Sequence, residues 1–241
     1  IYNTELDVLG LALPELRAVS RAGFSFTPGG PKPARNRNRS GAAPTLTRAE
    51  ATALRKRERE ILACWDQVWN ESRLFEAKLQ PLLYYEDRIA QLDAKLHWPA
   101  LKRWVADVDN WEHSDRCSRS FAQLNEDAPE IVLPVLRRWN ASRKPWLRRQ
   151  SIVSLLCYDN LRNSRPSAET ILAMVGALLE DPDIYVQKGV GWTLRECGRA
   201  YPRETAEFLR AHVRTLRPVA FSAATEKLSP DEKRQLKELR V

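Results

Sequence analysis

The sequence predicts an all-α protein built as a solenoid, with antiparallel helix pairs stacking in the HEAT or armadillo manner around a concave surface. Three observations carry this. Glycine is scarce, nine in 241 residues, and no stretch alternates apolar and polar residues as a half-buried strand does. Apolar residues instead recur three and four apart, as in Ile152, Leu155 and Leu156, and again in Ile171, Met174, Val175 and Leu178. An aromatic residue placed before a helical stretch returns at Phe75, Trp111, Trp146 and Tyr185, at separations of 36, 35 and 39 residues. Periods of that length mark repeat folds, in which each helix pair leaves an apolar face that only its neighbour can cover.

The elements follow in order. Residues 1–27 are expected to form a helical segment, a truncated first repeat, with Leu9-Gly10 as a turn and Pro14 in the first turn of a short helix. The chain opens on Ile with no charged-then-apolar leader, so its first residue is expected not to be the native start. Residues 28–47 hold four Pro, three Gly and four basic residues without an acid, a composition that predicts a flexible insertion. Thr47 then reads as a helix cap, with Glu50 completing a capping box. From residue 48 to residue 241 the texture is that of the repeat domain, continuous with 1–27. Within it PWLRRQSIVSLLCY aligns with IYVQKGVGWTLREC, placing Arg149 over Lys188 and Val153 over Trp192.

Composition narrows the function classes. With 43% hydrophobic and 29% charged residues, the chain can bury a core. Its longest apolar runs, such as residues 171–179, are about nine residues, half of what a membrane span needs. The four cysteines, Cys64, Cys117, Cys157 and Cys197, stand at least 40 residues apart, and His97, His113 and His212 are equally scattered. These spacings suit neither a zinc site nor a redox pair, so a reduced, cytoplasmic, metal-free protein is expected; it is further expected to be a monomer without cofactor, nucleoid-associated when on DNA. Thirty-nine Lys and Arg against thirty-one Asp and Glu leave a net charge of +8. Residues 137–149, RRWNASRKPWLRR, concentrate six cations and no acid. Such a field draws polyanions, nucleic acid first among them, although a solvated basic face has the same composition.

Candidate site residues come from the repeat register. Trp111 and Asp115 are four apart and so share a helix face. Lys78, Ser114, Arg149 and Lys188 each stand three residues after a repeat aromatic, and Trp192 lies one turn beyond Lys188. Singly, each has a structural reading: a core indole, an acid paired with Arg116 or Arg119, a solvated cation. An Asp and an Arg at equivalent repeat positions are harder to place in a core.

The segments D107-VDNWEHSD, W146-LRRQSI and Y185-VQKGVGWTLRE resemble the AlkD-like DNA alkylation repair family, the QK-x-x-GW-x-LRE stretch being the most specific, and the likeness runs from about residue 2 to about residue 217. The resemblance implies HEAT-like-repeat DNA glycosylases that excise alkylated purines from duplex DNA, gripping the backbone and leaving the lesion stacked. It makes Asp115 the catalytic carboxylate, Trp111 and Trp192 the cleft indoles, and Arg149 the cation beside the damaged nucleotide's backbone. Lys188, Arg148, Arg143, Lys144, Gln187 and Lys78 are the expected DNA contacts. A purine alkylated at N3 or N7 is cationic and leaves through an oxocarbenium-like sugar, which a carboxylate stabilises by charge while orienting water. Two other classes remain open: a non-catalytic HEAT-repeat protein that binds damaged or branched DNA, and a HEAT-type scaffold for an acidic protein segment.

Overall fold

The structure, a computed structural model, describes residues 4–27, 47–156 and 166–240. The expected flexible insertion therefore falls outside the described residues, except for Thr47. Among the described residues there are twelve α-helices and no β-strand. In order these are α1 (Leu13–Ala22), α2 (Arg48–Glu71), α3 (Phe75–Asp87), α4 (Ala94–Trp104), α5 (Trp111–Asp127) and α6 (Pro129–Asn140). There follow α7 (Pro145–Val153), α8 (Ala168–Gly176), α9 (Ile184–Ala200), α10 (Pro202–His212), α11 (Pro218–Ala224) and α12 (Pro230–Arg240).

The helix boundaries have local causes. Thr47 Oγ1 accepts the Glu50 N–H while the Glu50 carboxylate accepts the Thr47 N–H at 2.8 Å, the capping box expected of that pair. Asp93, Ser167 and Asp183 cap α4, α8 and α9 through their side-chain oxygens. Pro14, Pro129, Pro145, Pro202 and Pro218 occupy first turns, where the missing N–H costs nothing. The four repeat aromatics all open helices: Phe75 and Trp111 are the first residues of α3 and α5, and Trp146 and Tyr185 the second residues of α7 and α9.

The chain divides into two compact units, one ending at Arg116 and the other beginning at Cys117, inside α5. The first has an aromatic core. Trp65 and Trp69 of α2, Tyr84 and Tyr85 of α3, and Trp98 and Trp104 of α4 are each 1% exposed. Trp69 stacks on Trp104 with centroids 5.4 Å apart, and Phe24 and Phe26 meet Trp65 edge-on. The core of the second unit is aliphatic, with Val132, Leu136, Ile152, Ile171, Val175, Val186, Val190 and Leu194 all buried. Gly191 lets α11 lie directly on α9: a Cβ there would stand 2.5 Å from the Ala220 carbonyl oxygen.

Candidate functional site

In the first unit the start of α5 is fixed from several sides. Asn110, just before the helix, accepts the His113 N–H through Oδ1 at 2.9 Å and donates from Nδ2 to Asp109 Oδ1 and His113 Nδ1. With Nδ1 accepting, His113 Nε2 carries the proton and donates to the Phe75 carbonyl at 3.1 Å. The imidazole stacks on the Phe75 ring, 4.5 Å between centroids, and burial drives its pKa down to about 4. It is a neutral, fully bonded core residue. Asp109 is pushed up by burial, but the Glu5 N–H at 2.7 Å, Asn110 and the Thr4 hydroxyl outweigh that and hold it below the usual carboxylate range. Glu76 behaves likewise: burial opposes its charge, and the N–H groups of Leu9 at 3.0 Å and Gly10 at 2.8 Å, among others, prevail. Gly10 meets this carboxylate with φ at +82°, a conformation L side chains avoid.

One turn into α5 lies a chain of alternating charges. Arg17 of α1 reaches Glu86 at 3.2 Å, Glu86 also meets Arg116 at 3.1 Å, and Arg116 closes on Glu112 at 2.8 Å. Burial disfavours the charged Arg116, but the two carboxylates overcome it and raise its pKa. Arg116 is thus tied to Glu86 and Glu112, acids the sequence did not single out.

On this clamped helix Trp111 is 40% exposed, whereas the other four tryptophans of the unit are each 1% exposed. Asp115 follows one turn later on the same face and is partly buried. The pair offers an open indole and a carboxylate within one turn, suited to a cationic group. Lys78 of α3 leans inward, its Nζ 5.1 Å from the Trp69 ring; burial lowers its pKa against the pull of Asp107 and Asp109.

In the second unit α7 packs on α9. Arg149 is 6% exposed, donates from Nη1 to the Tyr185 carbonyl at 2.8 Å, and lies over Gly189, where a Cβ would stand 3.3 Å from its Cγ and Nη1. Lys188 is exposed, with Nζ 5.0 Å from the Tyr185 ring, and Trp192 is half-buried one turn further along α9. Two of the expected DNA contacts are instead spent inside the protein. Gln187 is 1% exposed, its amide donating to the carbonyls of Leu178, Leu179 and Asp181, so it ties off the end of the preceding helix. Arg148 grips Asp181 through Nε and Nη2 and donates from Nη1 to the carbonyls of Ser142 and Arg143, pinning the α6–α7 turn. Arg143 and Lys144 of that turn are exposed. The register that picked out these polar residues does not distinguish an inward from an outward face. What it missed is the Trp146–Tyr185 ring pair, 4.9 Å between centroids, whose signal was the repeat spacing itself.

Among the described residues no group of three or more His, Cys, Asp or Glu is placed to hold a metal ion. No helix among the described residues is long and apolar enough to cross a membrane. A cavity of about 400 Å³ between α9, α10 and α12 is lined by none of the candidate site residues.

The chain is similar to a predicted DNA alkylation repair enzyme from Enterococcus faecalis, at 16% identity and a TM-score of 0.59, over 76% of this chain and 84% of that one. That identity speaks for a shared fold. AlkD2 from Streptococcus mutans aligns at 17% identity and a TM-score of 0.48, over 95% and 97% of the two chains. The smu.31 protein of Streptococcus mutans UA159 aligns at 17% identity and a TM-score of 0.48, over 79% and 91%. No curated protein matches the sequence. The family model described as DNA alkylation repair enzyme matches residues 38–228, well over half of the chain, and the protein therefore belongs to the DNA alkylation repair enzyme family.

Proposed function

We propose that the protein is a DNA glycosylase that hydrolyses the N-glycosidic bond of cationic N3- and N7-alkylated purines in duplex DNA. The observation that carries this is α5, where a member of an alkylation-repair family presents an exposed indole and a carboxylate one turn apart. As the bond to a cationic purine breaks, positive charge passes to the sugar. The Asp115 carboxylate offsets that charge and orients the attacking water. The Trp111 face adds a cation–π attraction of about 0.5 to 2 kcal/mol. The resemblance gives Trp192 the part of a second indole and Arg149 that of a backbone clamp. Arg149 suits it, because its bond to the Tyr185 carbonyl orients the guanidinium before any phosphate arrives. The exposed Lys188, Arg143 and Lys144 supply sequence-independent phosphate contacts.

The test is release of 7-methylguanine from methylated duplex by the parent and by Asp115→Asn, which keeps the shape and removes the charge. Excision should fall by two or more orders of magnitude, about 3 kcal/mol of transition-state stabilisation, while duplex affinity holds or rises. An Asn variant that releases base at the parent rate, after correction for spontaneous depurination, would replace this reading with that of a non-catalytic DNA-binding protein.

A further inference from the structure

The aromatic residues that open α7 and α9 differ from the one that opens α3. Phe75 is 2% exposed and stacked on His113, so at that repeat the aromatic belongs to the core. Trp146 and Tyr185 are only half-buried, with rings 4.9 Å apart and tilted by 32°. Among the described residues neither the Trp146 indole N–H nor the Tyr185 hydroxyl has a hydrogen-bond partner. Ile184, 51% exposed, extends the apolar edge.

Two acids that precede Tyr185, Asp181 and Asp183, are already committed. Asp181 is held by Arg148, and Asp183 is occupied by the N–H groups of Tyr185 and Val186 that it caps. Lys188, Arg143 and Lys144 are exposed. Two half-buried aromatic rings and the exposed Lys188, Arg143 and Lys144 thus lie together on α7, α9 and the turn before α7, elements tied by the Arg148–Asp181 pair and the Arg149–Tyr185 bond. This combination suits single-stranded nucleic acid, where a base offers a free π face and its flanking phosphates offer charge. A duplex hides its base faces, and an acidic peptide would use the cations and leave the rings idle.

We propose that Trp146 and Tyr185, with Lys188, Arg143 and Lys144, form a binding site for an unpaired base of a DNA strand. The inference rests on the reading of the chain as a DNA-acting protein, but not on excision. The full chain is titrated into an undamaged oligothymidine carrying one 2-aminopurine, and into the matching duplex, with anisotropy for affinity and 2-aminopurine emission for stacking. The parent should change the emission of the single strand. Trp146→Ala and, separately, Tyr185→Ala should each weaken single-strand binding by about 5- to 100-fold, as expected for one lost base–aromatic stack. Duplex affinity should shift less than about two-fold, and the salt slope of single-strand binding should hold, because the phosphate contacts remain. Trp146→Phe, which keeps a ring, should restore most of the binding and control for folding. Equal losses on single strand and duplex, unaltered emission, or competition by polyglutamate as strong as by oligothymidine would each overturn the proposal. A parent that binds the single strand in this way yet releases no 7-methylguanine would uphold this site and refute the glycosylase reading alone.

Discussion

Replacing Arg116 by Met tests how much of the first unit's stability resides in its buried charges. The guanidinium meets Glu86 at 3.1 Å and Glu112 at 2.8 Å, and the two carboxylate side chains are 1% and 7% exposed. Removing one partner of a buried pair costs roughly 3 to 5 kcal/mol, because the surviving charge is stranded in a poorly solvated place. Here Glu86 keeps Arg17 at 3.2 Å, so the stranded charge is chiefly that of Glu112. The expected loss is therefore at the lower end, about 3 kcal/mol, which for a chain of this size lowers Tm by about 6 to 12 °C. The measurement is urea and thermal unfolding followed by circular dichroism. Adding Glu112→Gln to the Met variant should recover part of the loss, since it removes the stranded charge. Arg103→Met is the internal control. Its bond to Asp66 is made by side chains 59% and 28% exposed, and it should cost no more than about 1 kcal/mol. If the Arg116 and Arg103 variants lost equal stability, the network would be acting as screened surface charge and the argument would fail.

Two further outcomes follow from the same packing. His113 has a folded pKa near 4 against an unfolded value of about 6.5, so its contribution is complete above the unfolded value and is lost as pH falls towards 4. The difference is worth up to about 3 kcal/mol. The Tm of His113→Gln should therefore vary less between pH 6.5 and 4.5 than that of the parent, and parallel profiles would refute the buried neutral assignment. Gly191→Ala places a Cβ 2.5 Å from the Ala220 carbonyl oxygen and 2.8 Å from the Ala223 Cβ, contacts that only a shift of α11 can relieve, at roughly 1 to 3 kcal/mol. Gly198→Ala, whose nearest neighbour is the Thr205 Cγ2 at 3.7 Å, should be neutral or stabilising in a urea melt; a reversed order would contradict the close approach.

The all-α class and several helix starts were legible because they rest on local chemistry. The Thr47–Glu50 box, Pro14 in a first turn and the aromatics at four helix starts all act within a few residues along the chain. The placement of Trp111 and Asp115 on one helix turn was legible for the same reason, since a four-residue spacing fixes it. What stayed hidden depends on partners far away in sequence. Nothing local separates Trp111 from Trp104 seven residues earlier, yet one is 40% exposed and the other 1%. Arg148 and Arg149 are neighbours in a run of cations; one is committed to Asp181 and the other to the Tyr185 carbonyl, 33 and 36 residues away. Gln187 was among the expected DNA contacts. Three carbonyls at the end of the preceding helix claim it first.

Residues 4–12, the described stretch ahead of α1, make no helix, yet they are fastened at three places. Asp7 pairs with Leu74 as an isolated bridge, Glu76 holds the N–H groups of Leu9 and Gly10, and Asp109 holds Thr4 and Glu5. Two of the three anchors are carboxylates whose charge is tolerated because these few residues donate to them. A protease that trimmed the leading edge would leave both acids without those donors, one in the first turn of α3 and one two residues before Trp111. The damage would thus be felt where the indole is presented and not where the chain was cut.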